Sequence, residues 1–142
     1  PKQISGSGAF DWHINRPKFF EAFHQCIKSI ADAGNNIILD HIIESDAWFE
    51  QLLSLLADHD VFYVGIHCPI EILRAREELR GDKQIGNRYL GEAEYHLNHV
   101  HRYGTYDFEL DSSLQSPDES AEIIFEAWVR RNSKGYFDNH AN

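Results

Sequence analysis

The sequence contains no run of apolar residues long enough to cross a membrane, and no charged-then-apolar leader opens it. Because a spanning helix needs about 20 such residues, the sequence predicts no membrane association. Positive charge is also scarce, since 13 Lys and Arg stand against 23 Asp and Glu, a net charge of −10. That balance argues against a nucleic-acid partner, because phosphate neutralisation needs clustered basic side chains.

Cysteine is nearly absent, with Cys26 on a helical pattern and Cys68 on a strand pattern. We expect both to be buried small hydrophobes rather than a disulfide, which fits a cytoplasmic protein. The sequence also lacks Gly-x-x-x-x-Gly-Lys-Ser/Thr, the loop whose amides and lysine hold nucleotide phosphates. The glycine cluster near the start, Gly6-Ser7-Gly8, has no strand pattern before it and no Gly-Lys-Ser after it, so it does not indicate a phosphate site.

The apolar and charged fractions of this 142-residue chain, 42% and 25%, predict one compact domain. Short apolar runs alternate with patterns of apolar residues three and four apart, which predicts an α/β fold with a parallel sheet. The predicted strands are residues 37–40, 61–67 and 106–110. The predicted helices begin near Pro17, Ser45, Pro69 and Ser116, and Gly34 ends the first of them.

The domain is expected to occupy residues 1–131, beginning with a loop at residues 1–14. Residues 84–102 are polar and rich in Tyr and His, which predicts a helical lid. Residues 132–142 are predicted to form a flexible tail. His96, His99 and His101 lie close in sequence, but His101 points away from the helix face that the other two share, so no metal site is predicted.

Paired arginines lie in the predicted helix after residue 69. Arg76 and Arg80 are four apart, so one face of that helix presents two guanidiniums near its end. Phosphoryl-transfer enzymes often bring arginines onto a nucleotide from a helix that follows a strand. An amphipathic helix with a solvated charged face, its arginines paired with Glu77 and Asp82, explains the same spacing.

Several short blocks follow one another in a distinctive order. They are Val64 to Cys68, Arg76 to Lys83, Gly91-Glu92-Ala93, Val100-His101, Tyr106 to Ser113, and Ser116 to Glu119. This ordered set resembles the chloramphenicol phosphotransferase-like family of P-loop kinases, whose members read Val-Gly-Val-x-Cys, Arg-Glu-x-x-Arg-Gly-Asp-Arg, Gly-x-Ala, Val-His, Tyr-Asp-x-Glu-Val-Asp-Thr-Ser and Ser-Pro-Glu-Glu. The resemblance covers roughly residues 5–130.

The resemblance implies a kinase that uses ATP and magnesium to phosphorylate a hydroxyl of a small molecule. It implies catalytic roles for Arg76, Arg80 and Asp40, with Asp40 at the magnesium and acceptor side, and acceptor contacts from aromatic side chains between residues 10 and 48. It assigns Arg76, Arg80, Lys83 and Asp111 to the cofactor, with Asp111 on the adenine side. Turn or capping chemistry explains Asp40 and Asp111 equally simply.

Three departures from the family pattern bear on the site. Lys83 stands where the family has arginine, which keeps charge but loses the bidentate fork. His41 stands where relatives often carry a second acid, which affects the expected metal and substrate contacts. About five additional residues, including Arg88, separate Lys83 from Gly91 and lengthen the lid.

In the resembled family, the phosphate loop, the first helix and a general-base aspartate precede the matched region. We therefore expect a three-layer parallel sheet of the P-loop kinase type that lacks its first strand, and no tight binding of ATP by this chain. With strand order 2-3-1-4-5, residues 37–40, 62–67 and 106–110 correspond to strands 3, 4 and 5. Unpaired edges then favour either direct closure of strands 3 and 4 or self-association. A non-catalytic interaction module with the same fold is the alternative.

Overall fold

The computed structural model describes residues 12–79, 92–132 and 135–139. Their helices and strands follow one another as α1 (Trp12–Asp32), α2 (Asp46–Leu55), β1 (Val64–His67), α3 (Ile70–Leu79), α4 (Glu92–Val100), β2 (Phe108–Asp111), α5 (Pro117–Arg130) and α6 (Tyr136–Asn139).

The two strands of the described residues form one parallel sheet. Val64 lies opposite Phe108 and His67 opposite Asp111, so both strands end at the same edge. Parallel neighbours need a long crossover, and α3 and α4 lie within this one. The predicted strands at residues 61–67 and 106–110 are confirmed within three residues at each end, and the arrangement is compatible with an α/β fold.

The predicted buried strand at residues 37–40 is wrong. Residues 35–44 have no regular structure, and Ile38 has a relative exposure of 103%. A strand persists only where a neighbour satisfies its amides and carbonyls, and no described strand lies alongside these residues. Direct closure onto β1 therefore does not occur, and the side chains of Ile37 and Leu39 remain exposed as well.

Helix α1 begins earlier than its sequence signals predicted. It starts at Trp12, so the loop expected over residues 1–14 is wrong for its last three residues, and Pro17 lies inside the helix rather than in its first turn. Proline removes one backbone hydrogen bond, which this 21-residue helix tolerates. Its end agrees with the prediction, because Gly34 has φ of +83° and its amide donates to the Ala31 carbonyl at 2.8 Å.

Two predicted helix caps are present. The Ser45 side chain accepts from the Trp48 amide at 3.3 Å and begins α2. Ser116 and Glu119 form a reciprocal capping box at the start of α5, with Pro117 at the first helical position. The Ser116 amide and hydroxyl hydrogen bonds lower the pKa of Glu119.

The core lies between α1, α2 and the end of the chain. Its buried members are Ile27, Ile43, Phe49, Leu52, Leu56 and Phe137. Phe137 is only 3% exposed, so the structure packs α6 onto the domain where the sequence predicted a flexible tail. Gly135 permits this approach, since a Cβ there would lie 2.0 Å from the Val61 carbonyl oxygen.

The two cysteines differ in their surroundings. Cys68 is buried as predicted, whereas Cys26 is exposed, so the prediction for Cys26 is wrong. Cys26 precedes buried Ile27 by one residue, which turns its side chain about 100° away from the core face of α1. Both cysteines are free. Among the described helices, none is both long enough and apolar enough to span a bilayer.

Candidate functional site

The carboxyl edge of the sheet brings together Asp111 and Arg76, two of the predicted site residues. His67 and Asp111 end β1 and β2 as registered neighbours, and ligands of open α/β sheets gather at this edge. Arg76 reaches the same edge from α3. Its Nη2 donates to the Ser112 carbonyl at 2.8 Å, and its Nη1 donates to the Ser112 hydroxyl at 3.2 Å.

Backbone and hydroxyl contacts hold the turn that follows β2. The Ser112 amide and hydroxyl both donate to the His67 carbonyl, at 2.8 and 3.1 Å. The Ser113 amide donates to the Asp111 carboxylate at 2.8 Å. Hydrogen bonds from Ser113 chiefly lower the pKa of Asp111, and the charges of His67 and Arg76 act in the same direction. Asp111 is therefore a carboxylate at neutral pH.

One face of the sheet carries a group of polar side chains, three rings and a carboxylate, which we call the sheet-face array: His67, His101, Tyr106 and Glu109. The His67 ring stacks on His101 with centroids 4.1 Å apart, and His67 Nε2 lies 2.6 Å from a Glu109 carboxylate oxygen. His101 Nδ1 lies 2.8 Å from the Tyr106 hydroxyl. The array thus connects His101, the residue that follows α4, with His67 of β1 and, through His67, with Glu109 of β2.

Gly65 makes the sheet-face array possible. Gly65 and His67 are two apart in β1 and share one face, and the Tyr106 ring fills the space above Gly65. A Cβ on Gly65 would lie 2.5 Å from that ring. Burial, followed by the charge of His67, lowers the pKa of His101, so the stacked rings do not favour two positive charges.

A partly buried cluster of rings, in which His24 is fully buried, lies between α1 and the segment that carries Asp40. We call it the histidine–aromatic cluster: Phe20, Phe23, His24, His41 and Trp48. His24 Nε2 lies 3.0 Å from His41 Nε2, and His24 Nδ1 lies 2.7 Å from Gln51 Oε1. The His41 ring is nearly parallel to the rings of Phe20 and Trp48, at centroid distances of 5.4 and 5.9 Å.

Burial lowers the pKa of His41 to about 4, and the neighbouring His24 lowers it further, against smaller opposing effects of Glu44 and Asp40. His41 is therefore neutral at physiological pH. Arg16 closes one side of the cluster, with its guanidinium 4.9 Å from the Trp48 ring centroid and paired with Glu44. Such a cation over an indole adds an attractive electrostatic contact.

The structure brings together only part of the predicted site. Arg76 and Asp111 meet at the carboxyl edge of the sheet, whereas Asp40 is exposed in the irregular segment beside His41. Arg80 and Lys83 lie outside the described residues, as does residue range 84–91 of the predicted lid. The remainder of the lid includes α4, which an Arg74–Glu94 ion pair of 2.6 Å joins to α3.

Sequence reasoning missed His24 and Gln51, and it did not connect His67 with Glu109. His24 lies four residues after Phe20 and three before Ile27, so its place on the apolar face of α1 was visible in the spacing. No sequence signal pairs His67 with Glu109, because their contact depends on the strand register. Groups of three or more metal-ligating side chains do not occur within the described ranges.

The family described as chloramphenicol phosphotransferase-like protein matches residues 1–129. The chain belongs to this family. Two proteins of Mycobacterium tuberculosis, from strains CDC 1551 / Oshkosh and ATCC 25618 / H37Rv, are each 31% identical to it over 106 residues and carry the name "Putative O-phosphotransferase". The matched part is 74% of this chain but 44% of each relative's length. No solved structure matches the chain significantly.

Four family blocks meet in the described structure. The Val-His and Tyr-Asp-x-Glu blocks supply three members of the sheet-face array, and His67 occupies the unspecified position of Val-Gly-Val-x-Cys. Arg76 opens the arginine block and contacts Ser112, which follows Asp111. Residues from four sequence blocks of the chloramphenicol phosphotransferase-like family therefore contact one another at and beside the carboxyl edge of the sheet.

Proposed function

We propose that this chain is part of an ATP-dependent phosphotransferase with the P-loop kinase fold, which phosphorylates a hydroxyl of a small molecule. The observation that carries the proposal is the meeting of Arg76 with the Asp111-Ser112-Ser113 turn at the carboxyl edge of a parallel sheet. Family membership and relatives named as O-phosphotransferases support the reaction class. Neighbouring strands 4 and 5 of the kinase order agree with the pairing of β1 and β2.

Arg76 acts in this proposal mainly by shaping the nucleotide side of the site. Two of its nitrogens donate to Ser112, so the guanidinium fixes the turn expected beside adenine. Arg80, one helical turn further on, supplies charge to the transferring phosphoryl group. Lys83 places a second positive charge beside the bound cofactor.

Asp40 and the histidine–aromatic cluster form the acceptor side of the proposed site. Asp40 binds magnesium or orients the acceptor, and the neighbouring rings shape the acceptor pocket. His41, where relatives often carry a second acid, gives this pocket a neutral imidazole in place of a negative charge. The proposed acceptor therefore meets less negative charge here than in relatives with two acids.

The phosphate loop and the first strand are proposed to come from sequence outside this chain. The edge of β1 away from β2 has no partner within the described ranges, and residues 37–40 are unpaired with exposed apolar side chains. A further strand beside β1 would satisfy the unpaired amides and carbonyls of that edge. The short coverage of the relatives, 44% of their length, is in keeping with this arrangement.

The test is phosphoryl transfer by the complete encoded protein, using γ-labelled ATP, magnesium and a panel of hydroxyl-bearing small molecules. We expect label on a small molecule, and a loss of about a hundredfold or more in turnover for Arg80→Ala with little change in the apparent KM for ATP. Arg74→Ala is the matched control, since Arg74 pairs with exposed Glu94. Absence of transfer together with retained folding would favour the alternative, an interaction module without catalysis.

A further inference from the structure

His24 is the buried polar residue of the described core, with 0% of its surface exposed. Both of its ring nitrogens have partners, Gln51 on one side and His41 on the other. A buried imidazole with two partners has a constrained protonation pattern, because a neutral ring carries one N–H and one lone pair. The partners therefore determine which nitrogen holds the proton.

The Gln51 contact sets the direction of the chain of hydrogen bonds. Gln51 Oε1 can only accept, so His24 carries its proton on Nδ1 and donates over 2.7 Å. His24 Nε2 then has a lone pair and accepts from His41 over 3.0 Å. The His41 proton is thus on Nε2, and His41 Nδ1 is left as an acceptor.

The rings around His41 keep it in this orientation. Phe20 and Trp48 lie nearly parallel to the His41 ring, at interplanar angles of 26° and 27°. Rotation of the imidazole would break its hydrogen bond with His24 and disturb both aromatic contacts. Within the described part of the chain, His41 Nδ1 has no hydrogen-bond partner.

We propose that His24 and Gln51 are positioning residues that hold His41 as its Nε2–H tautomer, so that His41 Nδ1 accepts a hydrogen bond from the hydroxyl of the phosphoryl acceptor. This inference rests on the proposed function for its ligand class. His41 directly follows Asp40 in the sequence, and the proposed function assigns Asp40 to the acceptor side of the site. Asp40 and Glu44 are the charged groups that act on His41, opposed by His24.

Long-range proton–nitrogen NMR of this chain at neutral pH tests the relay directly. We expect protonated Nδ1 on His24 and protonated Nε2 on His41. Glu50→Gln, a change at the exposed neighbour on the same helix, should leave both tautomers unchanged, whereas Gln51→Leu should give averaged tautomers on both rings. Gln51→Ala removes the same acceptor with a smaller side chain and should give the same averaging if Gln51→Leu fails to fold. A proton on His41 Nδ1, or unchanged tautomers in a folded Gln51→Leu variant, would overturn the relay.

Titration with benzyl alcohol, with toluene as the matched compound that lacks a hydroxyl, tests the acceptor role of His41. Benzyl alcohol at millimolar concentration should move the His41 Nδ1 resonance saturably toward the shift of a hydrogen-bonded lone pair, and toluene should not. Equal responses to both compounds, or none, would overturn the acceptor role. Neither measurement requires ATP turnover, so failure of the relay and failure of the phosphotransferase proposal are distinguishable.

Discussion

Arg76 and Ser112 are joined by two hydrogen bonds from one guanidinium, to the serine carbonyl at 2.8 Å and to its hydroxyl at 3.2 Å. The same serine hydroxyl donates to the His67 carbonyl at 3.1 Å. A helix, a strand end and a turn are thereby held together at the carboxyl edge of the sheet. Within the proposed site, Arg76 therefore stabilises the turn that follows β2.

Arg76→Lys should loosen the turn, because an ammonium cannot reproduce the forked donation to Ser112. We expect a loss of about 1 kcal/mol in the free energy of unfolding and faster exchange of the Ser112 and Ser113 amides. Hydrogen exchange with urea unfolding measures both. Arg74→Lys is the control and should change neither, since the Arg74–Glu94 pair is exposed. Unchanged exchange of the Ser112 and Ser113 amides in Arg76→Lys would support the alternative that Arg76 belongs to a solvated helix face.

Stability should fall as pH is lowered through the range of His41 titration. Its pKa is lowered from 6.5 to about 4 in the folded protein, so the unfolded chain binds more protons between these values. The stabilisation is present above pH 6.5 and is lost progressively down to about pH 4. The slope is at most about 1.4 kcal/mol per pH unit for one proton, and less here because the half-buried ring is partly screened by solvent. Urea unfolding between pH 4 and 7 measures it.

His41→Asn is the matched variant for this pH dependence, because it removes the titrating group. Its stability should be flatter than that of the unaltered chain between pH 4 and 6.5. Identical slopes in the two proteins would show that other groups cause the acid sensitivity.

Gly65→Ala should displace the Tyr106 ring and separate the sheet-face array. The new Cβ would lie 2.5 Å from that ring, and overpacking of this kind costs about 1–3 kcal/mol. Thermal unfolding measures the loss, and the His101 ring resonances should shift with it. In a Tyr106→Ala background the same change should cost much less, since the obstructing ring is gone. Equal costs in both backgrounds would contradict this role of Gly65.

Phe137→Ala should destabilise the chain by about 3–5 kcal/mol, because this side chain is buried among Phe49, Tyr63 and other core residues. Phe125→Ala is the matched control, since Phe125 is 60% exposed on α5 and should cost less than about 0.5 kcal/mol. Chemical unfolding of the two variants gives the comparison. Similar small losses for both would support the flexible tail that the sequence predicted.

The parts of the fold that local chemistry determines could be predicted from the sequence. The caps at Ser45 and Ser116 follow from side-chain donors and acceptors a few residues away, and β1 and β2 follow from short apolar runs. The segment at residues 37–40 could not be assigned in the same way, because its strand pattern needs a neighbour that the described residues do not supply. Its apolar side chains therefore remain exposed.

The candidate site shows the same distinction between features that local sequence determines and features that depend on long-range contacts. The ordered blocks indicated Arg76 and Asp111, and the structure places both at one edge of the sheet. The contacts of His24 with Gln51 and His41 join residues 17 to 27 positions apart, and no local spacing encodes such a relay. Long-range contacts of this kind depend on how α1 and α2 pack.

Calorimetric titration with Mg-ATP, of this chain and of the complete encoded protein side by side, tests the central claim most directly. The arginines of α3 and the following segment supply charge, but the amide cradle and lysine that fix phosphates are absent from this sequence. We predict weak or undetectable binding by the chain and micromolar binding by the complete protein. Micromolar binding by the chain alone, or no binding by the complete protein, would contradict the proposal of a phosphotransferase whose phosphate loop lies outside this chain.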